Sequence, residues 1–241
     1  MRLDKLLANT GYGSRKDVKT LIKKKHVSVN GQLVRSSDLQ VHPDYDRVLV
    51  DQEEVHYQDY IYIMLNKPSG FISATADGQT MTVVDLLTAD YQRFKPFPVG
   101  RLDKDTQGLL LMTNDGELGH QLTSPKKAVE KVYYAQIDGH VTDDDVSQFR
   151  RGIELDDGYM TKPAVLEIIE AGDLSEVYIT VTEGKFHQVK RMVEGLGKKV
   201  MFLERIRMGT LTLDNQLQPG EYRELTEAEE LSLQPAEQKK R

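Results

Sequence analysis

The chain has 241 residues, enough for one large domain or a small one joined to a medium one, and its 39% hydrophobic and 29% charged residues are typical of a soluble globular protein. It contains no cysteine, which excludes disulfides, cysteine-based zinc sites and a thiol nucleophile. The formal net charge of −6 is unevenly placed, because residues 1–42 carry nine Lys or Arg against three acidic residues. We therefore expect a compact basic end on an acidic body.

No segment of the sequence suggests a membrane or export signal. The N-terminus lacks the uninterrupted apolar stretch of a signal peptide, and apolar runs such as 61–65 and 109–112 are too short to span a bilayer. These features predict a cytoplasmic protein without a membrane partner.

The first segment predicts two helices followed by a hairpin. Leu3, Leu6 and Leu7 lie at helical spacing, and Ser14 opens a sequence of capping-box form that should start the second helix. Asn30 and Gly31 form a strong tight-turn signal between two short strands. The apolar face of the second helix leaves Arg15, Lys16, Lys19 and Lys23 largely for solvent, and Lys24, Lys25 and Arg35 bring the basic candidates of this segment to seven.

Residues 2–31, R-L-D-K-L-L-A-N-T-G-Y-G-S-R-K-D-V-K-T-L-I-K-K-K-H-V-S-V-N-G, resemble the S4 RNA-binding domain. The resemblance implies that the second helix and the loop after it lie along structured RNA, with the seven basic residues as contacts. Lys and Arg that meet phosphate oxygens give affinity with little base specificity. A charge run on a helix is commonly only a solvated face, so this prediction depends on the whole segment.

The remaining sequence predicts a mixture of strands and helices. An acidic stretch at 44–60 suits a linker or an edge strand. Strands are expected at 61–65, 109–113, 131–137, 165–169, 177–181 and 200–202, and helices at 83–87, 117–122, 143–150 and 186–196. Because strands often follow one another without a helix between them, we expect an α+β fold with a mixed, mainly antiparallel sheet. The predicted division is 1–58, 59–234 and a polar tail at 235–241.

Residues 100–116, G-R-L-D-K-D-T-Q-G-L-L-L-M-T-N-D-G, form a charged loop that enters a buried strand and ends in an Asp-Gly turn. An isolated Asp in such a loop is most often a capping or surface residue. The whole string, however, closely resembles the signature loop of the pseudouridine synthases. The resemblance implies that Asp103 is the catalytic nucleophile and that the larger domain is a pseudouridine synthase domain.

Two further segments match this family in the expected order. E-K-V-Y-Y-A, at 130–135, resembles a family strand that implies Tyr133 in the active site, and E-G-K-F-H-Q-V-K-R-M, at 183–192, implies Lys190 as the basic partner of Asp103. Seen singly, Tyr133 is as readily a sheet aromatic and Lys190 a surface charge. Supporting matches lie at 67–70 and 203–209, whereas His187 and Gln188 are read as helix-start packing and capping at least as readily as substrate selection.

Pseudouridine formation breaks the N-glycosidic bond of a uridine, turns the uracil and rejoins it through carbon, without redox change. The resemblance thus implies no cofactor and no metal, and the sequence has no P-loop, no G-x-G-x-x-G and no metal-ligand spacing among its six His. A carboxylate can act as the covalent nucleophile, at the ribose or at the ring. Tyr133 is expected to stack on the flipped uracil or to assist proton removal, and Arg101 to fill the vacated space or hold a phosphate.

The arrangement of an S4 domain before the catalytic domain is that of the RsuA-type synthases, and the third motif resembles the small-subunit enzymes. This implies the uridine at position 516 of 16S rRNA, within an assembling small subunit, as substrate for a monomeric enzyme. One alternative is a synthase of the same type that acts on 23S rRNA. Others are a catalytically silent RNA-binding assembly factor and a glycoside hydrolase with Asp103 and Asp105 as paired carboxylates, which a basic module and the lack of Trp disfavour.

Overall fold

The structure, a computed structural model, describes residues 1–43, 45–55 and 57–233. The predicted polar tail at 235–241 lies outside these residues. The chain forms two compact units, the first of Met1–Ile61 with Leu87–Pro96 and the second of Tyr62–Leu86 with the chain from Phe97 onward. The division at 58 and 59 stays a prediction, and residues 87–96, which it assigns to the larger domain, belong to the first unit.

The first unit begins with two helices and a small sheet, as expected. Its elements are α1 (Leu3–Asn9), α2 (Arg15–Lys23), β1 (Val27–Val29), β2 (Gln32–Leu33), β3 (Val48–Val50) and β4 (Glu53–Glu54). The predicted capping box of α2 is present, because Ser14 and Asp17 exchange hydrogen bonds between side chain and backbone. The sheet order is β2-β1-β3-β4, so β3 is an inner strand. The interpretation of residues 44–60 as a linker or edge strand is therefore wrong for β3, whose Val48 and Val50 are buried.

The second unit is built on a large sheet. The elements that follow β4, in chain order and including the short α3 of the first unit, are β5 (Tyr62–Lys67), a 3-10 helix (Val83–Leu86), α3 (Ala89–Gln92), β6 (Phe97–Pro98), β7 (Gln107–Thr113), α4 (Gly116–Thr123), β8 (Lys131–Asp138), α5 (Asp143–Arg151), β9 (Val165–Glu170), β10 (Leu174–Val181), α6 (Gln188–Gly195), β11 (Lys199–Met208), β12 (Leu211–Thr212), β13 (Tyr222–Glu224) and α7 (Glu227–Leu233). All six predicted strands and three of the four predicted helices are confirmed, and the stretch at 83–87 forms a 3-10 helix instead.

The sheet order is β13-β5-β7-β11-β8-β10-β9, with β6 beside β7 and β12 beside β11. Among the described residues, the pair of β7 and β11 is parallel and the other pairs of this sheet are antiparallel. This confirms the predicted α+β class with a mixed, mainly antiparallel sheet. β7 reads as a continuous apolar run because it lies in the middle of the sheet and its side chains are buried on both faces.

Candidate active site

The loop that carries Asp103 connects β6 to β7. Its backbone is held by hydrogen bonds with residues outside the loop. Leu102 is buried, and its backbone exchanges two hydrogen bonds with the Ser73 hydroxyl, which accepts from the N–H at 3.0 Å and donates to the carbonyl at 2.9 Å. The backbone N–H of Gly70 donates to the Lys104 carbonyl at 2.8 Å. The side chain of Asp103 remains 28% exposed. The backbone is thus held while the carboxylate stays accessible.

Lys67 holds the same loop through hydrogen bonds from its ammonium. Its ammonium is fully buried and donates to the carbonyls of Pro68 at 3.0 Å, Lys104 at 3.2 Å and Thr106 at 2.8 Å. Burial lowers the pKa of Lys67 to about 8, against the raising effect of the carboxylates of Asp105 and Asp103. The three carbonyl oxygens accept from all three N–H donors of an ammonium, so the surroundings of Lys67 suit its charged form. The segment at 67–70, only a supporting match in the sequence, therefore holds the loop in place through its hydrogen bonds.

The structure brings Asp103 and Lys190 together. Lys190 lies in the first turn of α6, and its Nζ is 3.5 Å from Asp103 Oδ2 and 2.5 Å from Asp105 Oδ1. The hydrogen bond from Lys190 lowers the pKa of Asp105, whose side chain is 71% exposed. Sequence reasoning paired Lys190 with Asp103 alone and assigned no supporting role to Asp105. The geometry makes Asp105 the closer partner of the ammonium.

His187 is a second side chain at the carboxylate. Its Nε2 is 3.6 Å from Asp103 Oδ1, and its backbone is left-handed at φ +50°. His187 is the residue at the N-cap position of α6, as helix-start packing and capping would require, but its side chain makes no capping hydrogen bond. The same interpretation suits Gln188, which is buried, accepts from the Lys185 N–H at 2.8 Å and donates to Glu183 at 2.9 Å.

Tyr133 lies on the inner face of β8 and is only 8% exposed. Its cross-strand neighbours are Ile179 on β10 and Arg205 on β11. Arg205 is buried, and its Nε donates to the Leu109 carbonyl at 2.9 Å, whereas one of its terminal nitrogens has no hydrogen-bond partner among the described residues. Among the described residues no hydrogen bond joins Tyr133 to Asp103.

The predicted RNA contacts are all exposed. Arg101, two residues before Asp103, is exposed and makes no hydrogen bond or ion pair within the described residues. In the first unit, α2 buries Val18 and Ile22 and turns its basic side chains outward. All seven basic residues of this segment that the sequence offers as RNA contacts are exposed: Arg15, Lys16, Lys19, Lys23, Lys24, Lys25 and Arg35.

The described residues contain no group of three or more His, Asp or Glu arranged to hold a metal ion. None of the helices in these ranges has the length and apolar character required to cross a bilayer.

Comparison with known families identifies the class of protein to which this arrangement belongs. The chain belongs to the RNA pseudouridylate synthase family, whose profile matches residues 61–195, and the S4 domain profile matches residues 1–46. Both resemblances drawn from the sequence are thereby confirmed, and the chain is an RNA pseudouridine synthase.

Similar proteins cover nearly the whole chain. An uncharacterized RNA pseudouridine synthase of Bacillus subtilis is 51% identical over 97% of this chain and 98% of its own length. The ribosomal small subunit pseudouridine synthase A of Escherichia coli is 40% identical over 97% of this chain and 100% of its own length. A solved crystal structure of a pseudouridylate synthase covers 97% of this chain and 99% of its own, with a TM-score of 0.68 and 36% identity.

Proposed function

We propose that this enzyme isomerises one uridine of the small-subunit rRNA, at position 516 of 16S rRNA, with Asp103 as the nucleophile. The observation that carries the proposal is the accessible carboxylate of Asp103 with the Lys190 ammonium 3.5 Å away on a separate element. The choice of substrate is supported by the 40% identity to the small-subunit enzyme of Escherichia coli over 97% of the chain. An assembling small subunit, rather than free rRNA, is the proposed substrate of a monomeric enzyme.

The reaction requires an ionised carboxylate and a held base. Asp103 attacks the ribose or the uracil ring and forms a transient covalent bond, and the N-glycosidic bond breaks. The uracil turns, carbon 5 bonds to the ribose, and the bond to Asp103 breaks, which regenerates the carboxylate. The hydrogen on carbon 5 leaves as a proton, and nitrogen 1, now free of the ribose, takes up a proton. The Lys190 ammonium stabilises the carboxylate charge before attack. Because its shorter hydrogen bond goes to Asp105 at 2.5 Å, the lone pairs of Asp103 are not tied up in a direct bond with Lys190.

The target base must leave its stack to reach Asp103, since its reactive atoms are covered in folded RNA. In the proposed complex the ring of Tyr133 stacks on the flipped uracil, or its hydroxyl assists proton removal. Arg101, exposed beside the loop, fills the vacated position in the RNA or holds a phosphate. The basic face of α2 contributes affinity for the RNA backbone but no choice of uridine.

Lys190→Met is expected to lower kcat by roughly 10- to 100-fold, because the neighbouring carboxylates of Asp103 and Asp105 would then lack the cation between them. Release of tritium from RNA labelled at carbon 5 of uridine measures the rate. Lys199→Met, which removes an exposed lysine of β11, is the matched control and should keep the wild-type rate. An unchanged kcat in Lys190→Met would remove Lys190 from the mechanism.

Changing Lys16, Lys19 and Lys23 together to Gln should weaken RNA binding and flatten its salt dependence. Each lost phosphate contact is expected to lower the slope of log affinity against log salt by roughly 0.7 to 0.9. Filter binding at several salt concentrations measures the slope, and the triple Lys-to-Arg variant, which keeps the charges, should retain it. A slope that is the same in all three proteins would show that α2 does not contact phosphates.

The choice of substrate is tested by initial rates of tritium release from 16S rRNA, 23S rRNA and partly assembled small subunits, each labelled at carbon 5 of uridine. We expect release from small-subunit material and a faster rate from the particle. Preferential release from 23S rRNA would keep the enzyme class and overturn the proposed substrate. Binding of all three without release would favour an assembly factor with a silent site.

A further inference from the structure

An exposed aromatic ring extends outward from the candidate nucleophile. The side chain of Phe186 is 75% exposed, and its ring stacks on the His187 imidazole, with the ring centroids 3.8 Å apart and the planes inclined by 18°. The imidazole in turn lies 3.6 Å from Asp103. One face of Phe186 is therefore covered by His187 while much of the ring faces solvent. His187 thus contacts both the Asp103 carboxylate and one face of Phe186.

The fold holds these two rings in place although it leaves a large apolar side chain in water. The Phe186 carbonyl accepts a hydrogen bond from Arg191 at 3.4 Å, and Arg191 is anchored by ion pairs to Asp156 and to Asp157, the latter at 2.7 Å. His187 keeps the left-handed backbone that is uncommon outside glycine. Residues held in uncommon backbone conformations cluster at active sites and ligand-binding sites.

We propose that Phe186 and His187 form a stacking platform for the nucleobase that adjoins the target uridine in the RNA chain. The inference depends on the proposed function, because it needs a uridine bound at Asp103. When that uridine is bound at Asp103, the adjoining nucleotide lies farther from the carboxylate, and we place it against the exposed face of Phe186. Base-on-aromatic stacking tolerates any base, since every base has a π face.

The charges and burial around the two rings agree with this occupant. Lys185, immediately before Phe186, is exposed, and its ammonium lies 4.3 Å from the centroid of the Tyr159 ring, so the residue next to the platform carries a positive charge that a phosphate can meet. Tyr133, only 8% exposed, lies inside and is left for the flipped uracil itself. Phe186 itself makes no contact with the Asp103 carboxylate, so the loss of its ring should affect substrate binding rather than the chemical step.

The test uses the full-length enzyme and 16S rRNA in which 2-aminopurine replaces the nucleotide immediately 5′ or 3′ of the target uridine. Stacking on an aromatic ring quenches this probe, and an Asp103→Asn background holds the complex before turnover. Phe186→Leu should raise the fluorescence of one of the two probes at least 2-fold, and Phe186→Tyr, which restores a ring, should return it toward the starting value. Because Phe186 is largely exposed, each variant should keep the wild-type melting temperature.

In the active enzyme, which keeps Asp103, Phe186→Leu should raise KM by about 5- to 30-fold and leave kcat within about 2-fold, as expected when one base loses its stacking partner. Tyr178→Leu, the same type of change at an exposed ring of β10, should leave both constants unchanged. If Phe186→Leu leaves both KM and the probe fluorescence unchanged while the wild-type enzyme is active, the platform is overturned and the proposed function stands. A fall in kcat with constant KM would also overturn it, by placing Phe186 in the chemistry.

Discussion

Asp103→Asn is expected to reduce pseudouridine formation by at least roughly 1,000-fold, the largest effect on activity of any single substitution considered. An amide of the same size lacks the negative charge required for attack on the ribose or the ring. The fold should be retained, because the loop is held through Leu102, Lys67 and the Lys104 carbonyl rather than through the Asp103 side chain. The ion-pair distances of Asp103, 3.5 and 3.6 Å, are also longer than good hydrogen bonds.

The matched control for this substitution is Asp105→Asn, which removes the same charge two residues away. Asp105 acts by holding Lys190, so its loss should lower the rate by only about 10-fold. Tritium release gives the rates, and filter binding should show unchanged affinity for RNA in both variants. Equal losses in the two variants would mean that the loop needs its total charge and not a nucleophile at Asp103.

Gly108→Ala is expected to cause the largest loss of stability. A methyl group at Gly108 would lie 2.4 Å from the Arg205 carbonyl oxygen and 2.8 Å from its nitrogen, which are backbone atoms of β11. The position also has φ +97°, a conformation that costs a non-glycine residue about 1–3 kcal/mol. Since a paired strand cannot move aside as a side chain can, the total should exceed about 4 kcal/mol, a loss diagnostic of such a clash.

Thermal and denaturant unfolding measure this effect, with Gly158→Ala as the control. Gly158 has a similar φ of +80° but nothing within 4 Å of an added methyl, so its substitution isolates the backbone strain. Each kcal/mol should lower Tm by roughly 2–4 °C in a chain of this size, which predicts a fall of about 10 °C or more for Gly108→Ala. Equal losses in the two variants would show that the approach of β7 to β11 is not tight.

Much of the fold followed from local pattern, and the exceptions have identifiable causes. The apolar runs that became β5 and β7 were recognised because they are buried on both faces. By contrast β3 was missed, since Val48–Val50 is a short strand within a polar, acidic stretch. β11 was predicted only at 200–202, although it continues to Met208, because its second half alternates with charged residues, among them a buried Arg205.

In the candidate site, likewise, sequence resemblance identifies some residues, whereas the contacts among them depend on the fold. Sequence resemblance identified Asp103, Tyr133 and Lys190, and whether they act as proposed stays a prediction. It did not identify the partners supplied by distant parts of the chain, because a contact such as Lys67 with the Thr106 carbonyl joins positions 39 residues apart. The proximity of His187 to Asp103 likewise depends on a left-handed residue before α6, which no spacing rule predicts for His.

We propose that Asp103 drives isomerisation of one uridine in small-subunit rRNA. The decisive experiment is to incubate wild type and Asp103→Asn with partly assembled small subunits, 16S rRNA and 23S rRNA, and to map pseudouridine by its base-selective chemical adduct. We expect one new site, at position 516 of the 16S material, present with wild type and absent with Asp103→Asn. The same site formed by Asp103→Asn, or a site found only in 23S rRNA, would contradict it.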